Sequence, residues 1–324
     1  SFQVNNFLRF NRTFKRKHRI NSVLGVTYDV RNVLNNIYAV EDFVTTQFTT
    51  ENPAFGQVTT QPLTFIKGDQ QIFSILGRFN YAWDNQLIMT ATFRRDGVSK
   101  FAQNNKYGFF PSFALAWQVD QSGLLDNTLL DELKVRMGWG QIGNHGIGSY
   151  GTLSNYGVSS NLYGNASGGT NVPIALQNVA NPDLTWETTT QTDFGLSLSM
   201  LDNRVNIEAD YYNKTTDDLL LDVPLPVTSG YETRFVNIGS VQNRGFEFAI
   251  DAAVVQSRNF TWNTNFNISF NKNKILDLGD AQEFFVTAIG DNQIQNDYVV
   301  RVGQSLGAIF GLEDDGVYNY SDFV

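Results

Sequence analysis

Apolar and polar side chains alternate along the stretch from Gly77 to Val119 and in the residues just before it. Between residues 73 and 83 the apolar positions share one parity and the mostly polar positions share the other, which predicts a β-strand with two unlike faces. The arms 87–93 and 109–119 repeat this pattern, the first after a tight turn at Asp84-Asn85-Gln86 and the second after a looser polar loop. Such segments are typical of an antiparallel transmembrane β-barrel, although a soluble antiparallel sandwich also alternates.

The same period of two recurs along the chain and predicts about ten strands. Short connections alternate with long ones, and the three longest are predicted to be loops at 33–70, 143–185 and 215–238. In outer-membrane barrels the short turns are periplasmic and the long loops are extracellular. A moderate connection at 120–132 has room for one helical turn at Leu129 to Glu132. The predicted strands are residues 2–10, 20–30, 73–83, 87–93, 109–119, 133–139, 194–200, 205–211, 246–254 and 260–270.

Aromatic side chains are predicted to lie at two heights on these strands. Most of the tryptophans lie near the short turns, whereas Trp139 and Tyr211 lie toward the long loops. A barrel in lipid has an aromatic girdle at each interface, and a soluble sandwich has no reason to separate its aromatics in this way. The pattern therefore favours the membrane barrel. The predicted girdle consists of Trp83, Trp117, Trp139, Tyr211, Phe260 and Trp262.

Composition fits this interpretation. Aromatic residues make up 14% of the 324 residues, and the net charge of −9 argues against nucleic-acid binding. The chain has no cysteine, so it has no disulfide, thiol nucleophile or Cys-based metal site. No apolar run is long enough for a transmembrane helix, and the mean hydropathy of −0.24 suits a barrel, whose membrane signal is hidden in alternation. A barrel leaves no open edge in lipid, so a chain with no returning strand after the last one is expected to be an internal piece of a larger barrel.

Five blocks of sequence carry a resemblance to one protein family. A single block such as RRDGVSKF would be a weak signal, but the five also match the family in order and spacing. On these blocks the chain resembles the SusC/RagA family of TonB-dependent outer-membrane transporters from Bacteroidetes, over nearly its whole length. The blocks are GRFNYAWDNQLIMTATFRRDGVSKFAQNNKYGFFPSFALAWQV (77–119), LKVRMGWGQIGNHGIGSYG (133–151), NPDLTWETTTQTDFGLSLSMLDNRVNIEADYYNKTTDDLLL (181–221), NIGSVQNRGFEFAID (237–251) and VGQSLGAIFGLEDDGVY (302–318).

The resemblance implies an all-β fold, a partial barrel of about ten strands out of a larger TonB-dependent-receptor barrel with long extracellular loops. All of 1–324 would belong to this one barrel domain. Residues 1–271 would hold the strands and their loops, and residues 272–324 would form a long extracellular loop segment with short strands of its own. The plug domain of the family, its TonB box and a closing strand that ends in an aromatic residue are expected to lie outside this chain.

The resemblance also implies a function. A family member actively imports oligosaccharides or peptides when TonB pulls on its plug, and it usually works with a SusD-like surface lipoprotein. We therefore expect a multi-pass outer-membrane protein in contact with lipid, which is not an enzyme, binds no nucleic acid and needs no cofactor or metal. Two alternatives are a barrel of the same family used as a structural subunit of a larger outer-membrane assembly, and a soluble carbohydrate-active β-protein.

Charged side chains on the polar parity are the main candidate functional residues. Charges inside a barrel wall either pair with each other and with a plug, or line a path for substrate, and we favour pairing. In the loops, Tyr150, Tyr156 and Tyr163 could stack on sugar rings, but packing between loops explains them equally well. The predicted lumen-facing set is Arg78, Arg94, Lys134, Arg136, Asp193, Glu208, Asp210, Glu247 and Asp251.

Other motifs indicate no chemistry of comparable strength. GWGQIG at 138–143 has the spacing of a dinucleotide site, but its glycines lie in a predicted strand that leads into a loop instead of a helix. His18 and His145 are the only histidines and are predicted at opposite ends of the strands, so they cannot form a metal site or a catalytic pair. Asp314-Asp315-Gly316 lacks the other oxygen ligands of a calcium loop and is better explained as a solvated acidic turn.

Overall fold

Ten long antiparallel strands form one continuous sheet in the computed structural model of the chain. The order of these strands in the sheet is their order in the sequence, so every neighbour is reached by a hairpin connection. The structure describes residues 1–37, 40–43, 57–58, 64–122, 129–154, 156–158, 163–164, 170–171, 174–176, 178–231, 233–286 and 297–311. Within these ranges, no helix is long and apolar enough to cross a membrane.

The strands of this sheet are 12 to 20 residues long. A tilted strand crosses the hydrocarbon core with about 9–11 residues, so strands of this length also reach beyond the bilayer. The strands are β1 (Phe2–Phe14), β2 (His18–Ile37), β3 (Thr64–Trp83), β4 (Leu87–Val98), β5 (Tyr107–Gln118), β6 (Leu130–Asn144), β7 (Glu187–Met200), β8 (Val205–Asp217), β9 (Ser240–Gln256) and β10 (Thr261–Asp277).

The register gives the sheet one mostly polar and one mostly apolar face. Residues directly opposite each other on antiparallel neighbours share a face. Ala114 pairs with Thr90 and Gly138 on the polar face, and Phe113 pairs with Ala91 and Trp139 on the apolar face. Large side chains of the apolar face are exposed, among them Phe79, Phe113 and Phe246.

The strands extend further than the alternation predicted, so several predicted loops were too wide. β2 continues to Ile37 and β3 begins at Thr64, both inside the predicted loop 33–70, and β10 continues to Asp277, past the predicted boundary at 271. The helical turn predicted at Leu129 to Glu132 is wrong, because Leu130 already belongs to β6. These extensions are rich in Asn, Gln and Thr, so the apolar parity ends before the hydrogen-bond ladder does.

Shorter strands and turns lie in the long connections, which are all at one end of the strands of the sheet. The predicted loop 215–238 contains a hairpin, and the segment after β10 contains a small three-stranded sheet. The hairpins pair Val40–Glu41 with Gln57–Val58, Tyr156–Val158 with Ile174–Leu176, Tyr163–Gly164 with Thr170–Asn171, and Leu220–Pro224 with Thr233–Asn237. The small sheet consists of Glu283–Val286, Tyr298–Arg301 and Ala308–Ile309, and a 3-10 turn lies at Val227–Ser229. Another 3-10 turn, Asp120–Ser122, lies between β5 and β6 at the opposite end of the strands.

Buried apolar side chains gather at the loop ends of the strands, in two clusters. A single-layer wall has no interior of its own, so a core forms only where loops fold over it. The smaller cluster, Val241, Ile275 and Leu278, packs against Phe284 and Val300 and holds the three-stranded sheet on β9 and β10. The larger cluster, which we call the loop collar, consists of Val98, Phe101, Phe110, Ile147, Leu184 and Trp186.

Candidate functional site

The nine predicted lumen-facing charges all lie on the polar face of the sheet. One lateral row shows this directly, because Arg136 pairs with Gly195, Gly195 with Asp210, and Asp210 with Glu247. The row joins four neighbouring strands, β6 to β9. That this face lines a lumen stays a prediction. The other members of the set on the same face are Arg78, Arg94, Lys134, Asp193, Glu208 and Asp251.

Arg136 and Asp210 form an ion pair that spans three strands. The Arg136 Nη2 donates to both carboxylate oxygens of Asp210, at 2.9 and 3.1 Å. Gly195 lies between them in the register, and a Cβ there would overlap both charged groups. Glycine therefore leaves the pair room to close. Since both side chains are about one-third exposed (33% and 38%), the pair mainly fixes the position of the two charges and adds little net stability.

A second side-chain contact across a glycine, between uncharged groups, connects β8 to β10. The Tyr212 hydroxyl donates to Asn271 Oδ1 at 3.3 Å, across Gly245. A Cβ on Gly245 would lie within 2.6 Å of the phenol ring. Two side-chain bridges over glycine thus connect β6 to β8 and β8 to β10 on the polar face.

Four of the five acidic side chains in the predicted set have no such partner. In the part of the chain that the structure describes, Asp193, Glu208, Glu247 and Asp251 form no ion pair. Glu247 also lies directly opposite Asp210, and like charges in that position repel. The region from β7 to β9 therefore presents acidic groups that a basic surface would complement.

Arg94 has its partner on its own strand. Its Nε donates to the Asp96 carboxylate at 2.7 and 2.6 Å, and its Nη2 donates to the Ser74 hydroxyl at 3.1 Å. Asp96 is only 8% exposed, so the guanidinium compensates a carboxylate that would be costly to bury alone. Arg94 thus pairs with other residues of the wall, which is the first of the two roles considered for these charges, pairing and lining a path for substrate.

Trp186 lies at the centre of the loop collar. Its ring centroid is 5.6 Å from that of Phe101, 5.3 Å from that of Phe110 and 5.3 Å from that of His145. Its indole Nε1 donates to the carbonyl oxygen of Lys106 at 3.2 Å. A buried tryptophan with a satisfied N–H and three ring neighbours is held in one position.

Hydrogen bonds join the loops around this core into one unit. The Lys100 ammonium donates to the Ile147 carbonyl at 2.7 Å, and the Thr152 hydroxyl donates to the Lys100 carbonyl at 3.1 Å. Asn237 exchanges two hydrogen bonds with the Thr185 backbone, at 2.8 and 3.0 Å, and so adds the hairpin after β8. Segments far apart in sequence therefore meet at the loop end of the wall.

A cavity of about 380 Å³ lies between the loop collar and the wall. Its lining combines Phe110 and Trp186 with polar groups of Arg94, Gln141 and His145. Burial lowers the pKa of His145 and the Lys100 charge lowers it further, while a backbone hydrogen bond and Asp96 oppose this shift. Within the described residues, the buried Nδ1 of His145 has no hydrogen-bond partner. The size lies within the range of about 300–1,000 Å³ for ligand pockets.

Other residues singled out from the sequence have structural neighbours. The Tyr150 hydroxyl donates to Asp69 at 2.9 Å, which holds its loop against β3. The side chains of Tyr156 and Tyr163, and all of Asp314-Asp315-Gly316, lie outside the described residues. His18 and His145 lie at opposite ends of the strands, as expected, and the glycines of GWGQIG lie in β6.

The predicted girdle residues lie along the apolar face or beside it. Trp83 and Trp117 both pair with Leu87, so they share one lateral row beside the short turns. Trp262 is the second residue of β10, and Phe260 lies in the turn just before it. Trp139 and Tyr211 lie nearer the loops but within their strands, because these strands extend further than predicted. Their position at a bilayer interface stays a prediction.

The sequence analysis missed three side chains of the site. Trp186 follows a segment without alternation, and the hydrogen bond to Lys106 joins residues 80 positions apart, so no local pattern reveals it. Asp96 and Ser74 were also missed. Asp96 is two residues from Arg94 on the same strand face, and this spacing was a usable signal for the ion pair.

The chain matches one family of known proteins over almost its whole length. Residues 1–319 match the family model described as TonB dependent receptor-like, beta-barrel. The chain belongs to this family. Its members are outer-membrane β-barrel proteins that act as transporters or receptors, so the predicted fold class, family and location are confirmed.

Individual relatives confirm the resemblance to SusC and RagA. The TonB-dependent receptor P3 of Formosa agariphila is 35% identical over 98% of this chain, and the TonB-dependent receptor SusC of Bacteroides thetaiotaomicron is 36% identical over 67% of it. A structure of the RagAB peptide transporter superposes on 93% of this chain with a TM-score of 0.79, at 22% identity. The chain spans 32%, 22% and 32% of these three proteins, so the ten-stranded sheet is part of a larger barrel.

Proposed function

We propose that the chain forms part of the wall of a TonB-dependent importer that carries oligosaccharides or peptides across the outer membrane. The family match over residues 1–319 carries this proposal, and a wall with one polar and one apolar face supports it. A relative is named SusC, and the RagAB structure is described as a peptide transporter. In this proposal TonB acts on a plug outside the chain, and the sheet serves as a rigid wall.

Uptake by the native organism tests this function. Deletion of the gene should abolish uptake of a labelled oligosaccharide or peptide, and the full-length gene should restore it. A copy without the TonB box should not. Uptake that persists without TonB would contradict active import. A deletion that alters envelope assembly but no uptake would favour the structural-subunit alternative.

The plug is the proposed partner of the unpaired acidic groups on β7 to β9. Asp193, Glu208, Glu247 and Asp251 form no ion pair among the described residues, and a basic plug surface would relieve the repulsion between Glu247 and Asp210. Carbodiimide cross-linking of the full-length protein should therefore join these carboxylates to plug lysines. Asp84, which lies 2.7 Å from Lys17, is an internal positive control. Cross-links at Asp84 alone would overturn this pairing.

A SusD-like lipoprotein is the proposed partner of the small sheet after β10. One side of this sheet packs in the cluster of Val241, Ile275 and Leu278. Its other side exposes Phe285 (41%) and Phe310 (40%), whose ring centroids are 4.8 Å apart. Both lie at the loop end, which is the extracellular end of an outer-membrane barrel. Exposed apolar patches of this kind mark interaction surfaces.

Substitution on that sheet tests the lipoprotein contact. Phe285→Asp combined with Phe310→Asp should reduce co-purification of the lipoprotein at least tenfold and leave barrel assembly intact. Leu201→Asp is the matched control, because Leu201 is an exposed apolar residue (46%) at the other end of the strands. Equal loss in both variants would indicate a general assembly defect, and unchanged co-purification would remove the sheet from the interface.

A further inference from the structure

The turn between β1 and β2 is the most basic segment of the chain. Among the eight residues from 12 to 19, five are Lys or Arg and one is His, in a chain of net charge −9. Lys15 and Arg16 are exposed at the tip of the turn. Lys17 pairs with Asp84 at 2.7 Å, but Arg12, Lys15, Arg16 and Arg19 form no ion pair among the described residues. The proposed import function assigns no role to these charges.

The backbone of this turn is unfavourable for the residues that occupy it. Lys15 and Arg16 have φ angles of 48° and 60°, and the Lys17 N–H donates to the Phe14 carbonyl at 3.2 Å. A β-turn with positive φ angles at both of its central residues strongly prefers Asn, Asp or Gly there. The matching turn between β3 and β4 follows this rule, with Asp84 and Asn85 at 50° and 58°. Two cationic residues in the first turn therefore indicate a role for charge that outweighs the local strain.

The surroundings of the turn indicate where that charge acts. Phe14 pairs with His18, His18 with Trp83 and Trp83 with Leu87, so the turn adjoins the aromatic row of the apolar face. Arg12 lies one row further along this face, with its guanidinium carbon 5.1 Å from the Phe14 ring centroid. Aromatic rows mark the membrane interface, and long basic side chains beside them extend toward lipid headgroups.

We propose that this basic turn binds the headgroup of an anionic phospholipid in the periplasmic leaflet of the outer membrane. Short turns of outer-membrane barrels are periplasmic, which places Lys15 and Arg16 on that side. Clusters of Lys and Arg next to a membrane-spanning segment attract anionic lipids. The phosphate would lie between these two side chains and Arg12, and the acyl chains would lie against Phe14 and Trp83 on the apolar face.

Lipid titration of the full-length protein in neutral detergent tests the proposal. Native mass spectrometry should show at least about tenfold preference for phosphatidylglycerol over phosphatidylcholine. Lys15→Asn combined with Arg16→Gly should reduce this preference to near parity. The same variant should keep or raise the heat stability of the barrel, because Asn-Gly suits the turn. Binding and stability thus change in opposite directions, which a damaged fold would not produce.

Three control variants separate charge from geometry. Lys15→Arg with Arg16→Lys keeps both charges and should keep the preference. Lys15→Gln with Arg16→Gln removes the charges at similar side-chain length and should abolish it. Arg258→Asn removes one exposed charge from another short turn and should leave the preference unchanged.

Several outcomes would overturn the proposal. Equal binding of the two lipids by the unmodified protein would do so, as would a preference that survives both charge-removing variants. Displacement of the lipid by millimolar inorganic phosphate would show a phosphate site without lipid specificity. Loss of transport with unchanged lipid preference would instead assign the turn to a periplasmic protein partner.

Discussion

At the loop end of the wall, six buried apolar side chains close a small core over the strands, whereas the middle of the wall is held by polar contacts such as that between Arg136 and Asp210. The two regions face different surroundings. In the middle, the apolar face is predicted to meet lipid, so protein would not cover both faces of the strands. At the loop end, loops fold over the wall and apolar burial becomes available. Packing stability is therefore expected to concentrate in the loop collar.

Trp186→Ala should have the largest effect, because it removes the apolar packing that distinguishes the loop end from the middle of the wall. Truncation of a buried tryptophan costs about 3–5 kcal/mol, and Trp186 is 6% exposed. The loss should be local, because the wall keeps its own hydrogen-bond ladder. Hydrogen exchange should show faster exchange in residues 99–106 and 145–154 with little change in β5 and β6.

Trp117→Ala is the matched control for this substitution. Trp117 is 42% exposed on the apolar face and lies beside the short turns, away from the collar. Its loss should leave exchange in both collar loops unchanged. If the two variants loosen the collar equally, the collar is not an independent packing unit.

Leu115→Arg should have the second largest effect and tests the two faces of the middle region. Leu115 pairs with Met89 and Met137 on the apolar face, so arginine there should cost about 2–4 kcal/mol if it lies near the bilayer midplane. Ala114→Arg, on the polar face, should cost clearly less unless it meets the plug. Unfolding in lipid vesicles measures both, and equal costs would refute the assignment of the faces.

The wall could be predicted from the sequence because its signal is local. A strand between lipid and water must alternate, so Phe79, Tyr81 and Trp83 show their common face without reference to any partner. The signal weakens where a strand leaves the membrane, since both faces then meet water or loops. Residues 33–37 and 64–70 belong to the paired strands β2 and β3 but have no apolar parity, so the sequence predicts a loop there.

The loop collar could not be predicted because its contacts are distant in sequence. Phe110 lies on the polar parity, and only the packing of Trp186 against it explains an aromatic ring there. Charges on one face and pairing among them were predicted, but which charges form a pair was not. Arg136 and Asp210 are 74 positions apart, and only the register of three strands brings them together.

A double-mutant cycle on Arg136 and Asp210 should give a smaller effect. It measures how much a polar contact in the middle of the wall contributes to stability. For a partly exposed pair, Arg136→Gln and Asp210→Asn should show a coupling energy of about 0.2–1 kcal/mol. Repeating the cycle with Gly195→Ala should bring the coupling near zero, because the added Cβ overlaps both groups. Coupling above this range would mean that charge pairing rivals the collar in stability.

The smallest effect is expected from the protonation of His145 in the collar. Burial lowers the pKa of His145 below its ordinary value of 6.5, so the imidazole binds a proton more readily when the collar is open. The stabilisation by neutral His145 is therefore complete above pH 6.5 and declines as the pH falls below it. Hydrogen exchange of residues 145–154, corrected for the intrinsic pH dependence, should show protection decreasing from pH 7.5 to 5.5. His145→Gln cannot titrate and should remove this dependence, so an unchanged slope in that variant would assign the effect to another group.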